Sequence, residues 1–263
     1  MNTPPFIPRL ARMPDLKRFA DMTAEEKRAV RKEGAEIDRA KRLREQRAAN
    51  GFESLKITAT LQTPVISDQS LPIDGVLYYM WHREQFGRQD LCLPGGSNEL
   101  AGSALLPLER RNQEAPEWYY AASWAQWEGP VTEGTDHWNC RLDTGLTDYL
   151  EMPKARTDIA SGRYKSYHMP VFTRHALAVS WYVVGNAAVI GRLLRFASHI
   201  GKKSSQGYGA VAEWTIGPSQ DFSVRGPAGE LMRAVPSASG NRLIGIRPSY
   251  WLPAHQTLCE VPS

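Results

Sequence analysis

Residues 176–216 read ALAVSWYVVGNAAVIGRLLRFASHIGKKSSQGYGAVAEWTI, and the order of patterns within them decides the fold. Ala176 to Val184 is apolar and rich in β-branched residues, the clearest buried strand in the chain. Gly185-Asn186 is a turn signal. Ala187 to Ile200 has apolar residues at helical spacing, and Val189, Leu193, Phe196, Ala197 and Ile200 are the predicted buried face. The run Gly201-Lys202-Lys203-Ser204-Ser205-Gln206-Gly207-Tyr208-Gly209 follows, and Ala210 to Ile216 returns as a strand.

Working outward, Leu55 to Leu61 alternates apolar and polar as a half-buried strand does, and Pro64 ends it. Residues 72–81 have helical spacing, with Ile73, Leu77, Met80 and Trp81 on one face. Residues 88–108 turn to Gly, Pro, Ser and Leu and read as a long loop. The aromatic stretch from Glu117 to Trp127 reads as strand, residues 130–167 as irregular, and Met169 to Val184 as strand again. After Gly217 the tail is rich in Gly and Pro, with one further strand signal at 242–246. The order is β-α-β, a long insert, then β-α-β, which fits a ferredoxin-like α+β domain.

At the N-terminus, Pro4, Pro5, Pro8 and Pro14 predict an extended arm. Thr23 and Glu26 have the spacing of a capping box, opening a helix that runs to about Ala49 and stops at Asn50-Gly51. Its apolar positions, Ala29, Val30, Ile37, Ala40 and Leu43, are too sparse for a thick core. The expected organisation is therefore an arm and basic helix over 1–50, a domain over 51–216 with an insertion around 118–167, and a tail over 217–263 with room for extra strands.

The chain has 263 residues and a net charge of +4. Residues 1–50 hold 13 Lys/Arg against 8 Asp/Glu, leaving 19 against 20 for the remainder. Between Asp158 and Glu213 there is no acidic residue, while Arg163, Lys165, Arg174, Arg192, Arg195, Lys202, Lys203, His168, His175 and His199 all lie there. A purely positive stretch points to a polyanion partner, and the plain alternative is a solvated face balanced by acids elsewhere in the fold. No window of about 20 apolar residues exists to cross a bilayer. The first residues lack a secretory pattern, so a cytoplasmic protein without a membrane partner is expected. Cys92, Cys140 and Cys259 are too few and too scattered for a disulfide framework or a cysteine zinc site. Neither a metal nor any other cofactor is expected.

The glycine-rich run carries the chemistry. Glycines permit positive φ and close backbone approach. Backbone N–H groups beside Lys202 and Lys203 suit phosphate oxygens. Ser204, Ser205 and Gln206 add neutral hydrogen-bonding groups, and Tyr208 offers a ring on which a base could stack, worth about 1–3 kcal/mol. Arg192 and Arg195 extend the basic face from the preceding helix. A phosphate-binding P-loop fails on spacing, because Phe196 stands where its first glycine belongs and Lys203 where Ser or Thr belongs. A dinucleotide fingerprint fails because this run follows a helix and leads into a strand. The bland alternative is a flexible turn joining helix to strand.

The run from Ile200 to Val211 resembles the glycine-rich loop of the RAMP superfamily of CRISPR-associated RNA-binding proteins. The strand at 55–61, Pro64, the segment Leu71-Pro72-Ile73-Asp74-Gly75-Val76-Leu77, and Val184-Gly185-Asn186 before the second helix are similar too. Over residues 53–216 the combination most resembles the Csf-type subunit that takes the Cas-five role in type IV CRISPR systems. The resemblance implies an RRM-like RAMP domain and a non-enzymatic subunit that binds the 5′ handle of CRISPR RNA. It implies further partners in the backbone and large subunits of a ribonucleoprotein surveillance complex and, through that complex, target DNA in defence against viruses and plasmids. It also implies a β-hairpin thumb within 118–167, where Trp124, Trp127 and Trp138 offer rings, although core packing is the ordinary role of such residues. The implied RNA-binding set is Gly201, Lys202, Lys203, Ser204, Ser205, Gln206, Gly207, Tyr208 and Gly209, with Arg192, Arg195 and His199.

Some relatives cut the RNA precursor without metal, and His199 is the best-placed base for that, with Lys203 and Tyr208 able to assist. No Asp or Glu lies near His199 in sequence to orient it, so no catalytic residue is assigned. A third alternative is a protein-interaction module acting through the N-terminal helix.

Overall fold

The computed structural model describes residues 23–68, 70–86, 106–113, 115–141, 160–161 and 165–262. The proline arm, Cys92, Arg163 and most of the expected loop at 88–108 lie outside the described residues. The chain divides at Asn50/Gly51 into two units.

The first unit contains helix α1, Ala24–Asn50. Its start is a capping box: the Thr23 N–H donates to Glu26 Oε2 at 2.7 Å, and the Glu26 N–H donates to Thr23 Oγ1 at 3.2 Å. It ends where Gly51 adopts φ +62°. Val30 and Ile37, seven residues apart, are exposed.

The second unit opens with β1 (Glu53–Leu61) and α2 (Ile73–Phe86). Short strands β2 (Arg110–Arg111), β3 (Tyr119–Tyr120) and β4 (Gln126–Glu128) follow, then β5 (Thr132–Cys140), β6 (Tyr167–His175) and β7 (Ala178–Gly185). Helix α3 (Ala187–Leu194), β8 (Val211–Pro218), β9 (Val235–Pro236), β10 (Arg242–Gly245) and β11 (Gln256–Glu260) complete it. The main sheet has the order β4-β7-β1-β8, with every pairing antiparallel. A second antiparallel sheet, β10-β11-β9, forms from the tail.

Alternation places Leu55, Ile57 and Ala59 of β1 inward, where they join Trp181 of β7, Ile73 and Leu77 of α2, and Ile190 and Leu193 of α3 in one core. Each buried Leu or Ile side chain contributes about 1.5–3 kcal/mol. The Trp181 indole N–H donates to Leu71 O at 2.8 Å, fixing the chain just ahead of α2.

Three expectations need correction. The Glu117–Trp127 strand is broken: β3 and β4 are separated by residues 121–125, whose backbone instead meets β7 and the tail, as in Ser123 N–H to Tyr182 O and Trp124 N–H to Met232 O. Within the stretch 130–167, residues 132–140 are not irregular, because they form β5, which pairs with β6 along nine consecutive residues, while residues 142–159 and 162–164 lie outside the described residues. Both faces of this hairpin are largely open to solvent, so it has no period-two hydrophobic signature. The second helix stops at Leu194 rather than Ile200. Beyond it the Trp214 indole N–H takes the Ala197 carbonyl (2.8 Å), Val211 N–H takes that of Ser198 (2.9 Å), and Ile200 N–H turns to Gly209 O (2.8 Å). Ile190 and Leu194 therefore join the buried face with Leu193, Ala197 and Ile200, while Phe196 is 61% exposed.

Candidate nucleic-acid interface

The glycine-rich segment is a clamped loop. His199 and Ala210 form a bridge at its base. Segment 62–66 holds both flanks: Lys202 N–H donates to Ile66 O and Gly209 N–H to Pro64 O, each at 2.7 Å, and Gln62 N–H donates to Ala210 O at 2.9 Å. The Thr63 hydroxyl donates to Gly207 O (2.7 Å) and accepts from Ala210 N–H (2.8 Å). Gly201 has φ +78°, and a Cβ there would sit 2.5 Å from Ile66 O. Gly209 has φ +69°, and its Cβ would sit 1.9 Å from Ile200 O. These two glycines are required by the protein's own backbone contacts.

The tip is a short 3₁₀ turn, Ser204–Gln206, flanked by left-handed Lys203 and Gly207. Ser204, Ser205, Gln206 and Gly207 are exposed. The Gln206 and Gly207 N–H groups close this turn, onto Lys203 O and Ser204 O. Four of the loop's N–H groups, those of Lys202, Gln206, Gly207 and Gly209, are thus used internally. The expectation that the loop backbone as a whole would meet phosphates is narrowed to side chains and the rest of the tip.

The loop divides its side chains between two neighbours. On one side, the Tyr208 hydroxyl donates to Asp136 Oδ2 of β5 at 2.6 Å, which raises the phenol above its ordinary pKa. Lys203 lies over the ring of Trp138, and partial desolvation lowers its ammonium below the ordinary lysine range. On the other side, Gly201, Lys202, Ser204, Ser205 and His199 line a groove of about 590 Å³ against α2. Lys202 Nζ pairs with Asp68 Oδ1 at 2.8 Å, and both side chains are well exposed. Such a pair contributes little and exchanges readily for another anion.

The remaining expected residues are less concentrated. Arg192 pairs with Glu84 of α2, so that cation is neutralised within the fold. Arg195 caps α3 at its C-terminal end and is exposed. His199 Nδ1 lies 3.0 Å from Ser198 Oγ. Among the described residues no group of three or more His, Cys, Asp or Glu could hold a metal ion. Of the three tryptophans, Trp127 packs against the main core and Trp124 against the smaller core under the tail sheet, while Trp138 lies beneath Lys203. Sequence reading missed Asp68, Asp136, Tyr79 and Arg83. Asp136 had no signal of its own, because its role depends on the β5-β6 register. Among the described residues no helix is long and apolar enough to cross a membrane.

These features define a mixed α/β protein of antiparallel sheets that presents a clamped, basic, glycine-rich loop. Residues 132–262 match the family model described as CRISPR type IV associated protein Csf3, and this bears out the resemblance to a type IV CRISPR-associated protein read from the sequence. The match begins at the first residue of β5 and takes in the hairpin, the loop and the tail sheet. No curated protein matches the chain. Among solved structures, a chain of "Cryo-EM structure of the Type III-B Cmr-beta bound to cognate target RNA" is 12% identical with a TM-score of 0.32, covering 78% of each chain. That likeness is too distant to fix either fold or ligand.

Proposed function

We propose that this protein is a non-catalytic subunit of a type IV CRISPR ribonucleoprotein, binding the 5′ handle of CRISPR RNA and capping the row of backbone subunits in a complex directed at DNA. The observation that carries the reading is the loop 201–209: rigid at its base, exposed at its tip and carrying two adjacent lysines, in a chain whose C-terminal half matches a type IV CRISPR family. The main sheet supports a ferredoxin-like RAMP domain, because β1, β4, β7 and β8 with two intervening helices give the β-α-β-β-α-β order with β8 and β4 at the edges. In this reading Lys202 exchanges Asp68 for a handle phosphate, Lys203 and Tyr208 face the strand beside the hairpin, and the hairpin β5-β6 is the thumb.

A binding role is favoured over strand cleavage by the surroundings of His199, whose assigned ring partner is a serine hydroxyl rather than a carboxylate. Cleavage of repeat RNA by the purified protein in EDTA, abolished in His199→Ala, would instead establish an endoribonuclease. For the binding role, Lys202→Ala/Lys203→Ala should lose RNA while keeping the wild-type melting temperature. Unchanged RNA affinity in that variant would remove the role of the loop.

A further inference from the structure

Besides Lys202 and Asp68, the groove beside the loop is lined by groups that the proposed phosphate contacts leave unused. Its floor is apolar, from Leu71, Met80 and Ile200. At its rim stand two exposed aromatic rings, Tyr79 at 41% and Phe196 at 61%. Ser67 lines it through its other atoms, its hydroxyl being buried away from solvent. Among the described residues its cations are Arg83 and Lys202 and its only lining carboxylate is Asp68, which is already paired with Lys202.

Each of these features excludes something. A volume of about 590 Å³ falls in the range of small-ligand sites and is too small for a helix or a duplex. Exposed aromatic rings above an apolar floor, with cations alongside, match the way proteins take up a base unstacked from a single strand: rings stack on it, a polar group meets its edge, and cations meet its phosphate.

We propose that this groove receives one unstacked nucleobase of the strand held by the loop, with Tyr79 and Phe196 as stacking rings, the exposed Ser204 and Ser205 beside the base edge, and Lys202 and Arg83 at the adjoining phosphate. The inference rests on the RNA-binding reading and adds to it a site that reads one nucleotide.

The test uses the full chain and a fluorescent single-stranded RNA of the sequence recovered with the protein, with an abasic site placed at each position in turn. One abasic position should weaken binding about tenfold, the scale of a lost base stack. Phe196→Ala should weaken the intact RNA by a similar factor and no longer distinguish that abasic strand. Phe196 is exposed, so the variant is expected to fold, and circular dichroism checks this. Intact RNA bound equally well with every position abasic, or by Phe196→Ala, would overturn the groove while leaving the loop reading in place. Sensitivity to one abasic position together with indifference to Lys202→Ala/Lys203→Ala would support base uptake by the groove and overturn both the loop role and the phosphate contact given to Lys202. No binding of any RNA would overturn both.

Discussion

The Tyr208 hydroxyl donates a 2.6 Å hydrogen bond to Asp136, joining the tip of the glycine-rich loop to the first strand of the β5-β6 hairpin. Trp138 lies two residues on, hence on the same face of the strand, and it meets Lys203. The two elements proposed to embrace RNA are therefore already in contact, through the same side chains that would meet the strand. Asp136 is the only member of this contact that would repel a phosphate. Asp136→Asn keeps an acceptor for Tyr208 and removes the charge, so RNA affinity should rise several-fold at low salt, as measured by fluorescence anisotropy. A fall in affinity would mean that the Asp136 carboxylate helps to hold the RNA-competent arrangement.

The salt dependence of RNA binding should report on the loop directly. Each phosphate contact on a single strand adds about 0.7 to the slope of log affinity against log salt. Removing both cations in Lys202→Ala/Lys203→Ala should flatten that slope by about 1.4. Arg192→Ala should leave it nearly unchanged, since that side chain is paired with Glu84 and is not among the residues lining the groove beside the loop. Equal flattening by both variants would spread the contact over the whole basic face.

A buried pair beneath the groove makes stability depend on pH. Asp74 is fully buried at the start of α2 and accepts from the Tyr250 hydroxyl at 2.5 Å. Burial is the largest influence and pushes its carboxyl above the ordinary range, against the pull of Arg233 and the Tyr250 bond. A group with a raised folded-state pKa stabilises the fold fully below its unfolded value, about 3.9 for Asp, and loses that contribution as pH rises through the raised value. Asp74→Asn lacks this loss. Its melting temperature relative to the wild type should therefore climb as pH rises from about 4 to 8. A difference independent of pH would show that Asp74 is not the titrating group.

Arg233 is a structural clamp. It is 2% exposed, and its guanidinium donates to Tyr120 O, to Ala122 O at 2.8 Å and to Ile246 O at 2.8 Å. It therefore ties the segment around β3 to the end of β10. Arg233→Met keeps much of the bulk but removes the bonds to four carbonyls, those of Tyr120, Ala122, Ala234 and Ile246, of which Tyr120 O keeps the Ala122 N–H, and should cost about 3 kcal/mol in urea denaturation. A cost under about 1 kcal/mol would show that water replaces these bonds.

What the sequence revealed follows from where its hydrophobic signal was strong. Leu55, Ile57, Ala59, Val179, Trp181 and Val183 alternate or run together because they face a packed core, and their strands stand close to where the pattern put them. The capping residues Thr23 and Glu26 were legible for a local reason, since their bonds span three residues. The hairpin's first strand, β5, was illegible because residues such as Glu133, which pairs with Arg174, and His137, beside His168, are polar and solvent-facing, whereas most of β6 fell within the predicted strand from Met169. Phe196 was misplaced because helical periodicity cannot announce that Trp214 and Gly209 will take over the hydrogen bonds after Leu194. Within the candidate site, the loop and its lysines were visible in sequence. Asp68, Asp136, Tyr79 and Ser67 come from distant segments and meet the loop only through the tertiary fold.

The central claim is tested most directly by sequencing the small RNAs that copurify with the tagged protein from its native cells. The account predicts uniform small RNAs that share one short 5′ sequence followed by varied spacers, and their loss with Lys202→Ala/Lys203→Ala. Random RNA, or none, would contradict it and would turn attention to α1, with its exposed Val30 and Ile37, as the functional surface.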